Sequence, residues 1–175
     1  MFHMDKEQNL AYIDGQNLYY GTKENNWKID FKKFRIYLRD KYNVTEAFYF
    51  FGYIDEQQQS LYTNLQQAGF IVTFREHIST LKGQKKGNVD TDIVFEMMKA
   101  LHERKDFNRI LLISGDGDYK KVVDYLITCD KFKKILFPNR NAASSLYRQL
   151  APQYFDHLER PELQKKIGYL KKGSP

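Results

Sequence analysis

The stretch Ile110-Leu-Leu-Ile-Ser-Gly-Asp-Gly-Asp-Tyr119 decides how this chain is read. It opens as an unbroken apolar run, breaks at Gly115 and Gly117, and sets Asp116 and Asp118 just past the break. From Lys120 to Ile127 the spacing turns helical, with Val122, Val123, Leu126 and Ile127 on one face. The order is therefore strand, tight turn, helix. In open parallel α/β sheets, ligands bind outside the carboxyl ends of the strands, where such turns lie. Asp116 and Asp118 would stand at that edge.

The same alternation runs outward in both directions. Asn9 to Asp14 reads as a buried strand ending in an acid, broken by Gly15, with a helical turn over Leu18 to Glu24. Asp30 is placed to cap a helix carrying Phe31, Phe34, Tyr37 and Leu38, which Asn43 closes. Val44 to Phe51 is a second strand. A helix over Asp55 to Ala68 ends at Gly69, and Phe70 to Arg75 is a third strand. The polar stretch from Glu76 to Asn88 is expected to be a loop of functional kind, a lid or a substrate contact. Asp90 is expected as the N-cap of an amphipathic helix over Thr91 to His102. Beyond the central strand come a fifth strand over Lys134 to Phe137, a short helix over Ala142 to Leu150, and a short final strand over Tyr154 to Leu158.

Such alternation predicts an α/β, three-layer Rossmannoid domain: a parallel sheet of about five strands in the order 3-2-1-4-5, with right-handed crossovers and helices on both faces. Residues 1–160 are read as a single domain and 161–175 as a charged, peripheral tail. The topological switch point then falls between the strand ending at Asp14 and the strand ending at Ser114.

On that topology Asp14, Asp116 and Asp118 converge on one crevice. Asp90 and Asp92 enter it from the start of their helix. A carboxylate ending a buried apolar strand, as Asp14 does, is costly unless it is paired or bound. Several carboxylates together repel one another, and a divalent cation removes the conflict by favouring their ionised forms. Oxygen donors without His or Cys suit Mg²⁺ or Mn²⁺, not zinc. Asn17 and Ser114 stand beside the acids, as helix caps or as polar groups for a ligand.

Composition excludes several classes. No apolar run approaches the roughly 18 residues a membrane span needs, and no apolar leader opens the chain. One cysteine, Cys129, excludes an internal disulfide framework and fits a reducing compartment, so the expected location is cytoplasmic. The net charge of +6 favours polyanions. Lys85 and Lys86, with Arg75 and Lys120, are the cations expected to attract a phosphate backbone. Tyr19 and Tyr119 are candidates to stack on a base, although core packing is the simpler expectation for each. There is no G-x-x-x-x-G-K-[ST], no G-x-S-x-G, and Gly115-Asp-Gly117 lacks the third glycine of a dinucleotide fingerprint.

Three stretches together carry a resemblance: Tyr12-Ile-Asp14-Gly-Gln-Asn17, Lys86-Gly-Asn-Val-Asp90-Thr-Asp92, and Leu112-Ile-Ser114-Gly-Asp116-Gly-Asp118-Tyr119. In order and separation the chain resembles the NYN domains of the PIN-like nuclease superfamily, and within them the LabA-like bacterial branch. The resemblance spans roughly residues 9 to 158. It implies a three-layer α/β fold and a metal-dependent ribonuclease site. Asp14, Asp90, Asp116 and Asp118 match the acidic quartet that holds one or two Mg²⁺ or Mn²⁺ ions. Asn17 and Ser114 match polar positions beside it, and Asp92 falls where the family varies. The leading expectation is thus a metal-dependent endoribonuclease acting on RNA. A non-catalytic RNA-binding adaptor and a metal-dependent small-molecule phosphohydrolase or nucleotidase are the alternatives. Protein partners, and whether the chain forms a homo-oligomer, stay open.

Overall fold

The structure, a computed structural model, describes residues 6–75 and 89–169. Six strands form one parallel sheet in the order β3-β2-β1-β4-β5-β6. They are β1 (Asn9–Asp14), β2 (Val44–Phe51), β3 (Ile71–Phe74), β4 (Ile110–Ile113), β5 (Phe132–Phe137) and β6 (Phe155–His157). The helices are α1 (Gly15–Glu24), α2 (Phe31–Tyr42), α3 (Gln59–Ala68), α4 (Val89–Glu103), α5 (Lys120–Thr128) and α6 (Pro161–Ile167). The expected strand order holds, and the short last strand adds a sixth position beyond β5.

Side chains alternate along each strand, and here both faces are covered. On β1, Ala11 and Ile13 point to one face and join Leu18, Phe34, Leu38 and Leu65 from α1, α2 and α3. Leu10 and Tyr12 point to the other and join Ile93, Met97, Val123 and Leu126 from α4 and α5. This is why the central strands read as continuous apolar runs. The chain lays β1 to β3 on one side and β4 to β6 on the other. The turns after β1 and β4, which pair directly through Ile13 and Ile113, therefore sit side by side at the carboxyl edge.

Caps fall where the sequence places them. Asp30 accepts the Lys33 amide at 3.1 Å, and Asn43 ends α2 in the left-handed region. Gly69 ends α3 at φ 95°.

Three expectations are corrected. Asp90 is not an N-cap: α4 starts at Val89, so Asp90 lies inside its first turn. Its carboxylate turns toward the sheet and accepts a hydrogen bond from the Tyr119 hydroxyl. The helix expected over Ala142 to Leu150 is a single 3₁₀ turn at Ser145–Tyr147. Tertiary bonds displace it, because the Ser144 amide donates to Gly115 O at 2.9 Å and the Tyr147 hydroxyl to Asp116 O at 2.6 Å. The segment expected as a peripheral tail from residue 161 forms α6, with Leu163 and Ile167 buried against the α2 side of the core. The Asp30 amide donates to Ile167 O at 2.9 Å and fastens it there.

Candidate active site

Three elements deliver the acids. Asp14 is the last residue of β1, Asp90 the second of α4, and Asp116 and Asp118 lie in the turn after β4. Asp14 and Asp90 are buried, Asp116 is half-buried and Asp118 exposed. Oxygens of Asp90, Asp116 and Asp118 come within 4.8 Å of one another. Asp14 is tied to this group by one side chain. The Tyr119 hydroxyl donates to Asp14 Oδ2 at 3.0 Å and to Asp90 Oδ1 at 2.9 Å.

That phenol has one proton and two carboxylate acceptors. Tyr119 is fully buried. Burial, with the charges of Asp14 and Asp90, pushes its pKa far upward, so it remains a protonated donor. Burial likewise raises the Asp14 carboxyl above its usual range, and the Asp116 charge pushes the same way. The Asn17 and Gln16 amides and the Tyr119 hydroxyl pull back without cancelling the shift. The Asn17 amide donates to Asp14 Oδ1 at 3.0 Å, so Asp14 also caps α1.

The turn after β4 is held from all sides. Asn17 Oδ1 accepts the Gly115 amide at 2.8 Å, stapling the β1 turn to the β4 turn. Ser114, fully buried, accepts the Asp116 amide at 3.1 Å, and Asp116 accepts the Asp118 amide at 3.0 Å. A Cβ at Gly117 would stand 2.5 Å from Ser144 Oγ and force that bracing side chain to shift. The resulting groove, of about 420 Å³, is open to solvent and lined by Asn17, Gly115 to Asp118, Ala142, Ser144 and Leu146.

The remaining sequence candidates are spread more widely. Asp92 is half-exposed, and its Oδ2 lies 3.6 Å from Arg75 Nε, so these two face each other. Lys120 reaches Asp124 one turn along α5 at 2.6 Å. Tyr19 is exposed, edge-on to Tyr20, with the Lys23 ammonium 5.4 Å from its ring. Lys85, Lys86 and the Glu76 to Asn88 loop lie outside the described residues. Tyr119, expected as a core or base-stacking ring, instead sets its hydroxyl between two acids. Its place directly after Asp118 was the only local signal. Ser144 and Tyr147, which brace the turn from a distant loop, carried none.

The donor set fits a hard divalent cation: carboxylate oxygens alone, one pair of them inside a low-dielectric edge where uncompensated charge is costly. No helix among the described residues is long and apolar enough to cross a membrane.

Comparison with known proteins agrees with this geometry. A crystal structure of a protein of unknown function from Vibrio parahaemolyticus shares the fold with a TM-score of 0.74 at 22% identity, covering 97% of this chain and 100% of that one. The low amplitude and bright protein LabA of Synechococcus elongatus is 26% identical over 124 residues, which are 66% of this chain. The matched region spans 65% of LabA's own length. The family model of the NYN domain matches residues 10–158, from β1 to just past β6. Family membership and the three-aspartate cluster fit a nuclease that depends on a metal, and the chain belongs to the NYN domain family.

Proposed function

We propose that this protein is a metal-dependent endoribonuclease that hydrolyses RNA phosphodiester bonds at the carboxyl edge of its sheet. The observation that carries the reading is the meeting of Asp90, Asp116 and Asp118 within 4.8 Å, joined to Asp14 through Tyr119. Asp90, Asp116 and Asp118 would hold Mg²⁺ or Mn²⁺, with Asp14 as a further ligand for one or two ions. When bound, such an ion supplies Lewis acidity toward a phosphate and toward water.

The chain's own residues do the rest. The Tyr119 hydroxyl bridges the Asp14 and Asp90 carboxylates and holds both in place. Ser114 and Asn17 fix the turn that presents Asp116 and Asp118, so both act as positioning residues. The groove is open to solvent, which suits a polymer better than an enclosed metabolite pocket. Arg75 lies at the end of β3 on the same edge, and with Lys85 and Lys86 would attract the RNA backbone, as would Lys120 when released from Asp124. This work belongs in the cytoplasm, where a lone exposed Cys129 stays reduced.

The test is a panel of labelled single-stranded RNA, hairpin RNA and single-stranded DNA, incubated with Mn²⁺, Mg²⁺ or EDTA. Internal RNA cuts that need the metal and vanish in the Asp14→Asn/Asp116→Asn double variant are expected. RNA binding without products under any metal would replace the reading with a non-catalytic adaptor. Hydrolysis of mononucleotides without RNA products would replace it with a small-molecule phosphohydrolase.

A further inference from the structure

A second, narrower depression of about 110 Å³ opens beside the aspartate groove and shares Asn17, Gly115 and Ala142 with it. Its outer wall is one face of α1, carrying Tyr20, Gly21 and Glu24; its inner wall is Asn139, just after β5. The walls are fastened together. Asn139 is buried, and its Nδ2 donates to Glu24 Oε2 at 2.9 Å. Asn139 Oδ1 accepts the Asn141 amide at 3.0 Å, which fixes the carboxamide's orientation. Gly21 lets the helix close on Pro138, where a Cβ would stand 2.6 Å from Pro138 Cβ. Glu24 is thus an exposed acid held in one place, and the Tyr20 ring is half-exposed at the same rim.

We propose that this depression holds a guanine base of the RNA, the base flanking the phosphate that lies over the aspartates. The proposal rests on the ribonuclease reading and names a nucleotide preference for it. Size restricts the occupant, since the volume falls below the roughly 300–1,000 Å³ of pockets that enclose whole ligands. It suits one planar base, with the ribose and phosphate outside in the groove. Edge chemistry selects the base. Unstacked RNA bases are read on their Watson–Crick edges and against aromatic faces. The anchored Glu24 carboxylate only accepts hydrogen bonds. Guanine offers a ring N–H and an exocyclic amine side by side, two donors that match the carboxylate. Uracil offers one N–H between two carbonyls, which the carboxylate repels. Tyr20 supplies the stacking surface at the rim.

The experiment maps the ends of products from a mixed-sequence single-stranded RNA cut by the full chain with Mn²⁺, for the wild type and Glu24→Gln. Guanine is expected next to the cut about tenfold more often than each competing base, after correction for base content, the size of preference one good carboxylate pair supports. In Glu24→Gln, whose amide both donates and accepts, the preference should collapse toward none. Glu7→Gln, at the opposite end of the sheet, should keep the wild-type pattern. Cleavage with no guanine enrichment, or enrichment that Glu24→Gln leaves intact, overturns the base site while the ribonuclease reading stands. If no RNA is cut, titration with GMP, AMP, CMP and UMP decides. Tighter GMP binding that Glu24→Gln abolishes keeps the site and sinks the ribonuclease reading, and the absence of any GMP preference overturns both.

Discussion

At the amino edge of the sheet, Glu7 sits between Lys133 Nζ at 2.6 Å and Arg109 Nη1 at 2.9 Å. At the carboxyl edge, Asp14 meets the Tyr119 hydroxyl and the Asn17 amide, each at 3.0 Å. Burial pushes both carboxyls upward. At Glu7 the Lys133 ammonium, helped by the Asn9 side chain and the Arg109 guanidinium, outweighs it, and the net shift is downward. At Asp14 neutral donors cannot, and the nearby Asp116 adds to the rise. The pattern extends beyond these two. Arg109 also reaches Asp130 at 3.0 Å, and Arg104 joins Glu46 to Asp106, again at the amino edge. One end of the sheet answers its acids with built-in cations, as an edge kept for stability does. The other gathers acids around a phenol, an arrangement compatible with a divalent cation from outside.

The comparison breaks first at Asp116. Asp116→Asn should lower metal-dependent RNA cleavage by more than the roughly 10–100-fold lost when an outer-shell partner is removed, while the circular dichroism of the fold is unchanged. Retained cleavage would remove this edge from the chemistry.

Tyr119→Phe sharpens it. Removing the hydroxyl leaves two buried acceptors short of a donor, at about 1–3 kcal/mol for an unsatisfied buried group. In EDTA the melting temperature should fall by about 3–10 °C, as expected for a chain of this size. With Mn²⁺ the fall should be smaller, because the cation takes over the compensation. Equal falls under both conditions would make the phenol a packing residue only.

Asp92→Asn tests where the edge ends. Its carboxylate faces Arg75 at 3.6 Å and lies outside the 4.8 Å cluster. Cleavage should fall by no more than about tenfold, the low end for an outer-shell partner. A loss as deep as that of Asp90→Asn would bring Asp92 into the metal site.

The smallest effect belongs to Glu7→Gln. Glu7 has a lower pKa folded than unfolded, so the unfolded chain holds more protons between the two values. Its stabilisation is therefore present above the ordinary glutamate range, near pH 4.3, and is lost as pH falls through the folded value. At pH 7 the variant should be less stable by about 1 kcal/mol or less, given that the pair is partly solvated and screened by salt. The difference from wild type should close in melts below about pH 4, and RNA cleavage should not change. A difference that stays constant with pH would mean that packing, not charge, holds Glu7.

Much of this was legible in the residues because the signals are local. Apolar runs such as Ile110 to Ile113 mark strands buried on both faces, and Asp30, Asn43 and Gly69 announce helix ends by backbone chemistry alone. From that alternation the order 3-2-1-4-5 follows, and with it the meeting of the β1 and β4 turns. What stayed hidden depends on partners far away in the chain. Asp90 had the sequence position of a cap, but a hydroxyl 29 residues later draws its carboxylate inward. Ala142 to Leu150 had helical composition, yet bonds to Gly115 and Asp116 unwind it to one turn. Lys120 and Arg75, expected to attract a phosphate backbone, each face an acid within the fold, Asp124 and Asp92, which no local pattern announces. Tyr119 looked like any core aromatic, and only the assembled edge sets its oxygen between two carboxylates.

The most direct test of the edge as a cation site is a Mn²⁺ titration followed by electron paramagnetic resonance at neutral pH, on the wild type, Asp116→Asn and Glu7→Gln. Wild type and Glu7→Gln should bind one or two ions with the same affinity, and Asp116→Asn should bind at least about tenfold more weakly. Mn²⁺ bound equally by Asp116→Asn, or by none of the three, would contradict the account.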